Sequence, residues 1–354
     1  MSVRHGGNLQ EAVQRWARPY DQWLDLSTGI NPWPWPVPSI PAACWQRLPE
    51  ERDGLNAAIQ QWAGVSSAVG LCPLAGSQAA IQALPRLRPA GRVGVPVPGY
   101  QEHGHCWAAA GHQVVALPQQ WWSSPLLDTL DVVVSINPNN PTGAYLPVSL
   151  LADVRARLAA RGGWLVVDEA FLLDSANSVI RHSAAEGLVV LKSLGKFFGL
   201  AGLRAGVALG DATLMAALQA ALGPWAVSGP ARYVMAEALA DEHWQTQARA
   251  RLTTASARLT ADLDAVGLAS QGTELFRYCP TPAAMAIADQ LAAQGIWVRT
   301  FDVGDHQPPA LRLGLPGSEQ QWQRLKQALA RLVLSGPSHH STKVKTAINT
   351  EAKR

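Results

Sequence analysis

The chain has 354 residues, of which 48% are hydrophobic and 16% charged, enough to bury one large core and a smaller one. Its net charge is +3, and Lys343, Lys345, Lys353 and Arg354 against Glu351 near the carboxyl end also sum to +3. The remaining body is therefore close to neutral, which excludes an evident nucleic-acid surface.

Cys44, Cys72, Cys106 and Cys279 are scattered without CxxC spacing, so neither a metal site nor a disulfide framework is expected. No uninterrupted apolar run reaches transmembrane length and no signal peptide precedes His5, so a cytoplasmic protein without membrane contact is expected. Fourteen tryptophans show no periodicity and read as core and interface filler.

In chain order, His5-Gly6-Gly7-Asn8 comes first. A histidine before two glycines can fold backbone N–H groups around an anion with an imidazole beside them; the segment equally fits a frayed terminus. Asp25-Leu26-Ser27-Thr28-Gly29-Ile30-Asn31-Pro32 follows. From about residue 55 to 240, apolar strands at 92–96, 113–117, 131–136, 164–168, 188–192 and 204–209 alternate with Ala/Leu-rich helices. That alternation predicts a mostly parallel sheet with helices on both faces.

Several turns between these elements carry chemistry. Gly76-Ser77-Gln78 opens a helix, where free N–H groups and the positive end of the dipole suit a phosphate, though many helices begin with Ser. Tyr100 in Pro98-Gly99-Tyr100 offers an aromatic face to stack on a ring, or serves as a turn or core tyrosine. Asn137-Pro138-Asn139-Asn140-Pro141-Thr142-Gly143 breaks the chain at the carboxyl end of a strand, where open α/β sheets place ligands. Asn140 is the candidate amide donor there, against the ordinary use of these residues in turns.

The run Trp164-Leu165-Val166-Val167-Asp168 ends in an acid, which reads as a buried strand with a carboxylate at its tip or a helix N-cap. Lys196 lies in Ser193-Leu194-Gly195-Lys196-Phe197-Phe198-Gly199, with Arg204 eight residues on. A lysine with a nearby hydroxyl and guanidinium is a set suited to pyridoxal 5'-phosphate (PLP), with an amine for the aldehyde and Ser193 and Arg204 for the phosphate; the segment by itself equally fits a Lys and an Arg capping a strand–loop–strand corner. An apolar setting favours the neutral, nucleophilic amine.

Helices across 237–266 lead to a smaller α+β domain. Arg299 in Gly295-Ile296-Trp297-Val298-Arg299 and Arg312 in Pro309-Ala310-Leu311-Arg312 sit on strand-like runs there, as anion forks or as solvated strand-edge arginines. The expected division is 1–45 with the small domain and active site, 46–240 as the large PLP-binding domain, 241–334 as the carboxyl-terminal small domain, and 335–354 as a disordered tail. His339-His340 reads as tail composition.

In the order Gly76-Ser77, Tyr100, Asn140, Asp168, Lys196, Arg204, the chain resembles the fold-type I PLP-dependent enzymes of the aspartate aminotransferase superfamily, class I/II branch, from about His5 to Leu332. The resemblance implies that Lys196 binds the cofactor aldehyde, Asp168 its pyridine nitrogen and Asn140 its O3'. It also implies that Ser193, Arg204 and the Gly76, Ser77 and Gln78 amides hold the phosphate, and that two copies form a homodimer. Many relatives carry tyrosine where this chain has Phe171, and often tyrosine where it has Leu48 in Arg47-Leu48-Pro49-Glu50.

The His5 and Asp25–Pro32 motifs and Phe171 resemble a decarboxylating group of that superfamily, which converts L-threonine O-3-phosphate to (R)-1-amino-2-propanol O-2-phosphate and CO2 in cobalamin biosynthesis. This implies a small phosphorylated amino-acid substrate, with Arg312 at its carboxylate, Arg299 at its phosphate and His5, Gly6, Gly29 and Asn140 around it. The alternative is an aminotransferase for histidinol phosphate or a similar amine. A non-catalytic binding protein disagrees with the intact Lys196, Asp168, Asn140 and Arg204 set.

Overall fold

The computed structural model describes residues 5–118, 120–182, 185–302 and 307–333. The expected tail at 335–354, with His339 and His340, lies outside the described residues.

The amino-terminal stretch forms α1 (Leu9–Trp16), β1 (Leu24–Asp25), α2 (Ala43–Gln46) and α3 (Leu55–Ala63). Strands and helices then alternate: β2 (Gly70–Leu74), α4 (Ser77–Ala83), β3 (Arg92–Pro96), α5 (Gln101–Ala109), β4 (Gln113–Leu117), β5 (Val132–Ile136), α6 (Val148–Ala159) and β6 (Trp164–Asp168). They continue with β7 (Leu188–Ser193), β8 (Gly206–Gly210), α7 (Ala212–Leu222) and α8 (Gly229–Ala240). The remainder comprises α9 (Glu242–Asp264), β9 (Gln271–Thr273), β10 (Phe276–Pro280), α10 (Ala284–Ala293), β11 (Ile296–Trp297), β12 (Arg299–Phe301), β13 (Ala310–Gly314) and α11 (Glu319–Ala330).

Strands β2 to β8 form one sheet in the order β2-β8-β7-β6-β5-β3-β4. Neighbours from β4 to β7 pair in parallel, while β8 runs antiparallel to both β7 and β2. The interior strands are rich in valine and leucine because both faces are covered. Val133, Val167 and Val190 enter one apolar core, and their strand neighbours Val132, Val134, Val166 and Val189 enter the other. Residues of α3, α6, α8 and α9 fill the first core; Trp107 of α5 and Met215 of α7 help fill the second.

Two strands depart from the expected pattern. The run Gly70-Leu71-Cys72-Pro73-Leu74 contains a proline and no β-branched residue, yet forms β2. Its edge position tolerates the N–H that Pro73 lacks. The last strand begins at Gly206 rather than 204, because Arg204 takes a left-handed backbone conformation, φ 51°, in the preceding loop.

Helix ends follow their caps. Asp211, Ser228, Asp241 and Ser318 each accept a hydrogen bond from a backbone N–H in the first turn of α7, α8, α9 and α11. A second, antiparallel sheet has the order β12-β13-β10-β9, and β1 pairs in parallel with β11. The amino-terminal segment is thus laced to the carboxyl-terminal part, and the Gly314 N–H donates to the Leu26 carbonyl at 2.7 Å. Among the described residues no helix is long and apolar enough to cross a membrane, and no cluster of three or more His, Cys, Asp or Glu is arranged for a metal.

Candidate active site

The chain passes from β3 out to β4 and returns to β5, so Tyr100 after β3 and Asn140 after β5 flank the point where strand order reverses. Crevices at such points, outside the carboxyl ends of the strands, are where α/β sheets bind ligands. The carboxyl ends of β2, β6 and β7 add Gly76, Asp168 and Ser193 along the same edge.

Lys196 lies in the loop joining antiparallel β7 and β8, which the Leu194 N–H closes onto the Ala205 carbonyl at 3.1 Å. Asn31 pins this loop from the amino-terminal segment. Its N–H donates to the Lys196 carbonyl at 3.0 Å, and its side chain donates to the Phe197 carbonyl at 2.9 Å. Burial lowers the Lys196 pKa from 10.5 to about 8, with Arg312 and Arg204 adding to the effect and Asp168 opposing it. The amine also lies 5.6 Å from the centroid of the Phe171 ring. Phe171 meets Phe276 edge to face at 5.0 Å, and Gly29 packs so closely there that a Cβ would stand 2.8 Å from Phe171.

Asp168 is buried at the tip of β6. One oxygen accepts from the Ala170 N–H at 3.0 Å and the other lies 2.9 Å from His103 Nε2. Nearby, Gly76 has φ +79°, and an added Cβ there would stand 2.7 Å from Arg204 Nη2. Glycine thus opens the space that the guanidinium occupies. Gly206 lies against the Ser77 nitrogen, and Ser193 Oγ accepts from the Gly195 N–H at 3.2 Å. Gly76, Ser77, Ser193 and Arg204 therefore form one polar cup at the start of α4. The Gln78 side chain turns elsewhere, accepting from Tyr100 OH at 3.2 Å and donating to Glu102 Oε2 at 2.9 Å. Burial, with Glu102 and Asp168 nearby, raises the Tyr100 pKa well above its usual value.

A cavity of about 210 Å³ is lined by Lys196, Tyr100, Asn140, Phe171, His5 and Gly6, with Gly29, Arg299 and Arg312 also in its wall. Arg312 donates through Nη1 to Asn140 Oδ1 and through Nη2 to the Ser27 carbonyl at 2.9 Å, while its buried Nε has no partner among the described residues. This contact fixes the Asn140 side-chain oxygen as the acceptor, which leaves its NH2 as the donor end. Burial and Arg299 lower the Arg312 pKa to about 10. Arg299 and Arg312 are register partners on β12 and β13. Gly6 packs against the Ser27 carbonyl and lies near Arg312, and His5 Nε2 lies 3.0 Å from Glu102 Oε1.

Of the sequence candidates, Lys196, Tyr100, Asn140, His5, Gly6, Gly29, Arg299 and Arg312 stand in this cavity wall and Gly76, Ser77, Ser193 and Arg204 in the cup beside it. Asp168 stands at the tip of β6 outside both, and the Gln78 side chain faces Tyr100 and Glu102 instead. Sequence reasoning missed His103, Glu102 and Asn31. The signal for the first was available, because His103 stands three residues after Tyr100 at the start of a helix and so shares its face. The contacts of Glu102 and Asn31 join segments far apart in the chain.

The sequence profile described as Aminotransferase class I and II matches residues 49–329. The chain is 49% identical over 340 residues to the threonine-phosphate decarboxylase of Pseudomonas aeruginosa, covering 95% of this chain and 99% of that protein. It is 40% identical to a protein of the same name from Sinorhizobium sp, covering 94% and 99%. The fold is also that of the histidinol-phosphate aminotransferase from Sinorhizobium meliloti in complex with PLP. The TM-score is 0.78 at 20% identity, with 93% and 94% of the two chains covered.

Proposed function

The chain belongs to the aminotransferase class I and II family, and we propose that it is a PLP-dependent carboxy-lyase releasing CO2 from L-threonine O-3-phosphate. The product in this reading is (R)-1-amino-2-propanol O-2-phosphate, for cobalamin biosynthesis. The observation that carries the proposal is the pairing of Arg299 with Arg312 on adjacent strands of the cavity wall that holds Lys196. Like charges directly opposite on paired strands repel. A substrate bearing both a carboxylate and a phosphate relieves that repulsion with charge-assisted hydrogen bonds. Two relatives spanning nearly the whole chain carry the threonine-phosphate decarboxylase name, which supports the same reading.

The residues present fit PLP, the cofactor of this family. Arg204 lies over Gly76 in a cup that any larger residue at 76 would fill, and Lys196, its pKa lowered to about 8, stands in a wall that also contains Tyr100. In this assignment Lys196 takes the aldehyde, Asp168 the pyridine nitrogen and Asn140 O3', with Tyr100 beside the ring. Gly76, Ser77, Gln78, Ser193 and Arg204 take the phosphate. Bound there, PLP supplies an electron sink for the pair left on Cα when a bond to it breaks. Asp168 keeps the ring nitrogen protonated, Arg312 orients the carboxylate, and Arg299 with His5 and Gly6 anchors the substrate phosphate beside Gly29. Remote anchoring of this kind would orient the bond at Cα that is to break. Lys196 then carries the proton that replaces CO2 at Cα.

We further assign 46–240 to cofactor binding and 1–45 with 241–334 to the closing domain, in a cytosolic homodimer. The exposed apolar side chains of Leu48 and Trp225 line neighbouring concavities that share Pro49 and also carry charged residues such as Glu51 and Arg52, a mixed surface suited to a second copy. The deciding assay offers the purified protein O-phosphothreonine and, separately, histidinol phosphate with 2-oxoglutarate. Release of CO2 and aminopropanol phosphate is expected; efficient transamination of histidinol phosphate without CO2 release would overturn the reading in favour of an aminotransferase.

A further inference from the structure

One polar chain runs from the cofactor side of the cavity to its substrate side. Tyr100 OH donates to Gln78 Oε1 at 3.2 Å, Gln78 Nε2 donates to Glu102 Oε2 at 2.9 Å, and His5 Nε2 meets Glu102 Oε1 at 3.0 Å. The four residues come from three places: the amino-terminal segment, the first turn of α4, and the start of α5 with the residue before it. Glu102 is the node. Its side chain is 14% exposed, whereas that of His5 is 47% exposed and, besides Glu102, meets the flank of the Tyr100 ring, 6.0 Å away, among the described residues. We propose that Glu102 is a positioning residue that joins the His5 segment to Gln78 and Tyr100, and so holds the histidine where a phosphorylated substrate needs it.

A carboxylate suits this position, because it meets a donor on each side. Glutamate accepts at both oxygens, one from Gln78 and one from His5. A glutamine at 102 would accept at one end only and present NH2 at the other. It would then face either the Gln78 amide or His5 with a donor. A glutamine is accommodated only if Gln78 turns over, so that Tyr100 OH accepts from its NH2, or if His5 Nε2 accepts instead of donating; either way the ionised acceptor that faces His5 is lost. The hydrogen bonds of Glu102 go to Gln78 and His5, and it acts through His5. The proposal rests on the cavity taking a phosphorylated substrate, whichever bond at Cα is broken.

The experiment uses the PLP-loaded enzyme and its Glu102→Gln, His5→Ala and doubly substituted forms. Each is titrated with O-phosphothreonine, histidinol phosphate and unphosphorylated threonine by the change in the cofactor's visible absorbance, and turnover is measured alongside. For Glu102→Gln, the expected result is KM and the dissociation constant for the phosphorylated ligand raised about tenfold, kcat within about threefold, and the cofactor band unchanged. The dissociation constant for threonine should stay put, and Glu102→Gln should add almost nothing once His5 is Ala, because coupled residues are not additive. Unchanged phosphorylated-ligand binding, or effects of the two substitutions that multiply, would overturn the proposal. Loss of the cofactor or of the fold in Glu102→Gln would overturn it too, since it would place Glu102 in the framework of the cofactor site. A wild type that binds O-phosphothreonine without releasing CO2 contradicts the decarboxylase reading alone, and the Glu102 comparison is then read from the binding constants.

Discussion

His103 Nε2 lies 2.9 Å from Asp168 Oδ2, with both side chains buried. The Ala170 N–H occupies the other carboxylate oxygen at 3.0 Å, so Asp168 is oriented from two sides. Buried carboxylates need such partners, and here they also aim the acid along the strand edge where the ring nitrogen of PLP is assigned.

Replacing His103 with Phe keeps an aromatic side chain on α5 but leaves one Asp168 oxygen without a donor. The cost of an unsatisfied buried group is about 1–3 kcal/mol. PLP affinity and kcat should both fall, by about one to two powers of ten. Spectroscopic titration of the apoprotein with PLP, together with turnover, measures this; an unchanged PLP affinity would show that the pair is dispensable for orienting the acid.

Lys196→Ala should abolish both turnover and the borohydride-reducible attachment of the cofactor, because no other lysine lines the cavity among the described residues. Lys192, four residues earlier, is committed elsewhere, 2.6 Å from Glu169. Near-normal activity with a reducible adduct in the variant would refute the assignment.

The pH dependence of cofactor capture follows from Lys196. Its amine is held down to about 8, so the nucleophilic neutral form is scarce below that pH and dominant above it. Mixing apoprotein with PLP should show capture accelerating through a midpoint near pH 8. A midpoint close to the ordinary 10.5 would mean that burial and Arg312 do not act on this amine.

Arg299→Ala separates phosphate recognition from the rest of the site. Losing a charge-assisted contact costs about 1.5–3 kcal/mol, or about one to two powers of ten in kcat/KM for O-phosphothreonine. Unphosphorylated threonine should be little affected, and Arg312→Ala should penalise both. Equal losses on the two substrates in Arg299→Ala would show that Arg299 does not read the phosphate.

Glu169→Ala tests stability rather than chemistry. Glu169 accepts from Ser178 Oγ at 2.5 Å and the Val179 N–H at 3.0 Å besides pairing with Lys192, and both charged side chains are almost wholly buried. Removing one partner strands a buried ammonium, at a cost of about 3–5 kcal/mol. A clear fall in the denaturation midpoint is expected, partly recovered by adding Lys192→Met; an unshifted midpoint would show that the pair is solvated.

The sequence by itself determined the parallel core and most of the candidate site. Five-residue valine-rich runs bounded by turns could bury both faces only inside a parallel sheet, and β3, β4 and β6 begin and end where that pattern places them. Gly76, Asn140, Asp168 and Lys196 were legible as candidates because each sits in a local motif at or near a strand end, and their order along the chain carried the resemblance to fold-type I enzymes. Pro73 hid β2, since a proline-bearing run qualifies as a strand only once its edge position is known. Contacts between distant segments were likewise decided by the tertiary structure: His103 against Asp168, Asn31 pinning the Lys196 loop, Arg299 opposite Arg312, and Glu102 between His5 and Gln78. The physical reason is common to all four. A hydrogen bond or a strand register acts over about 3–5 Å, while the partners are separated in sequence by distances that only the folded sheet and its loops bring together.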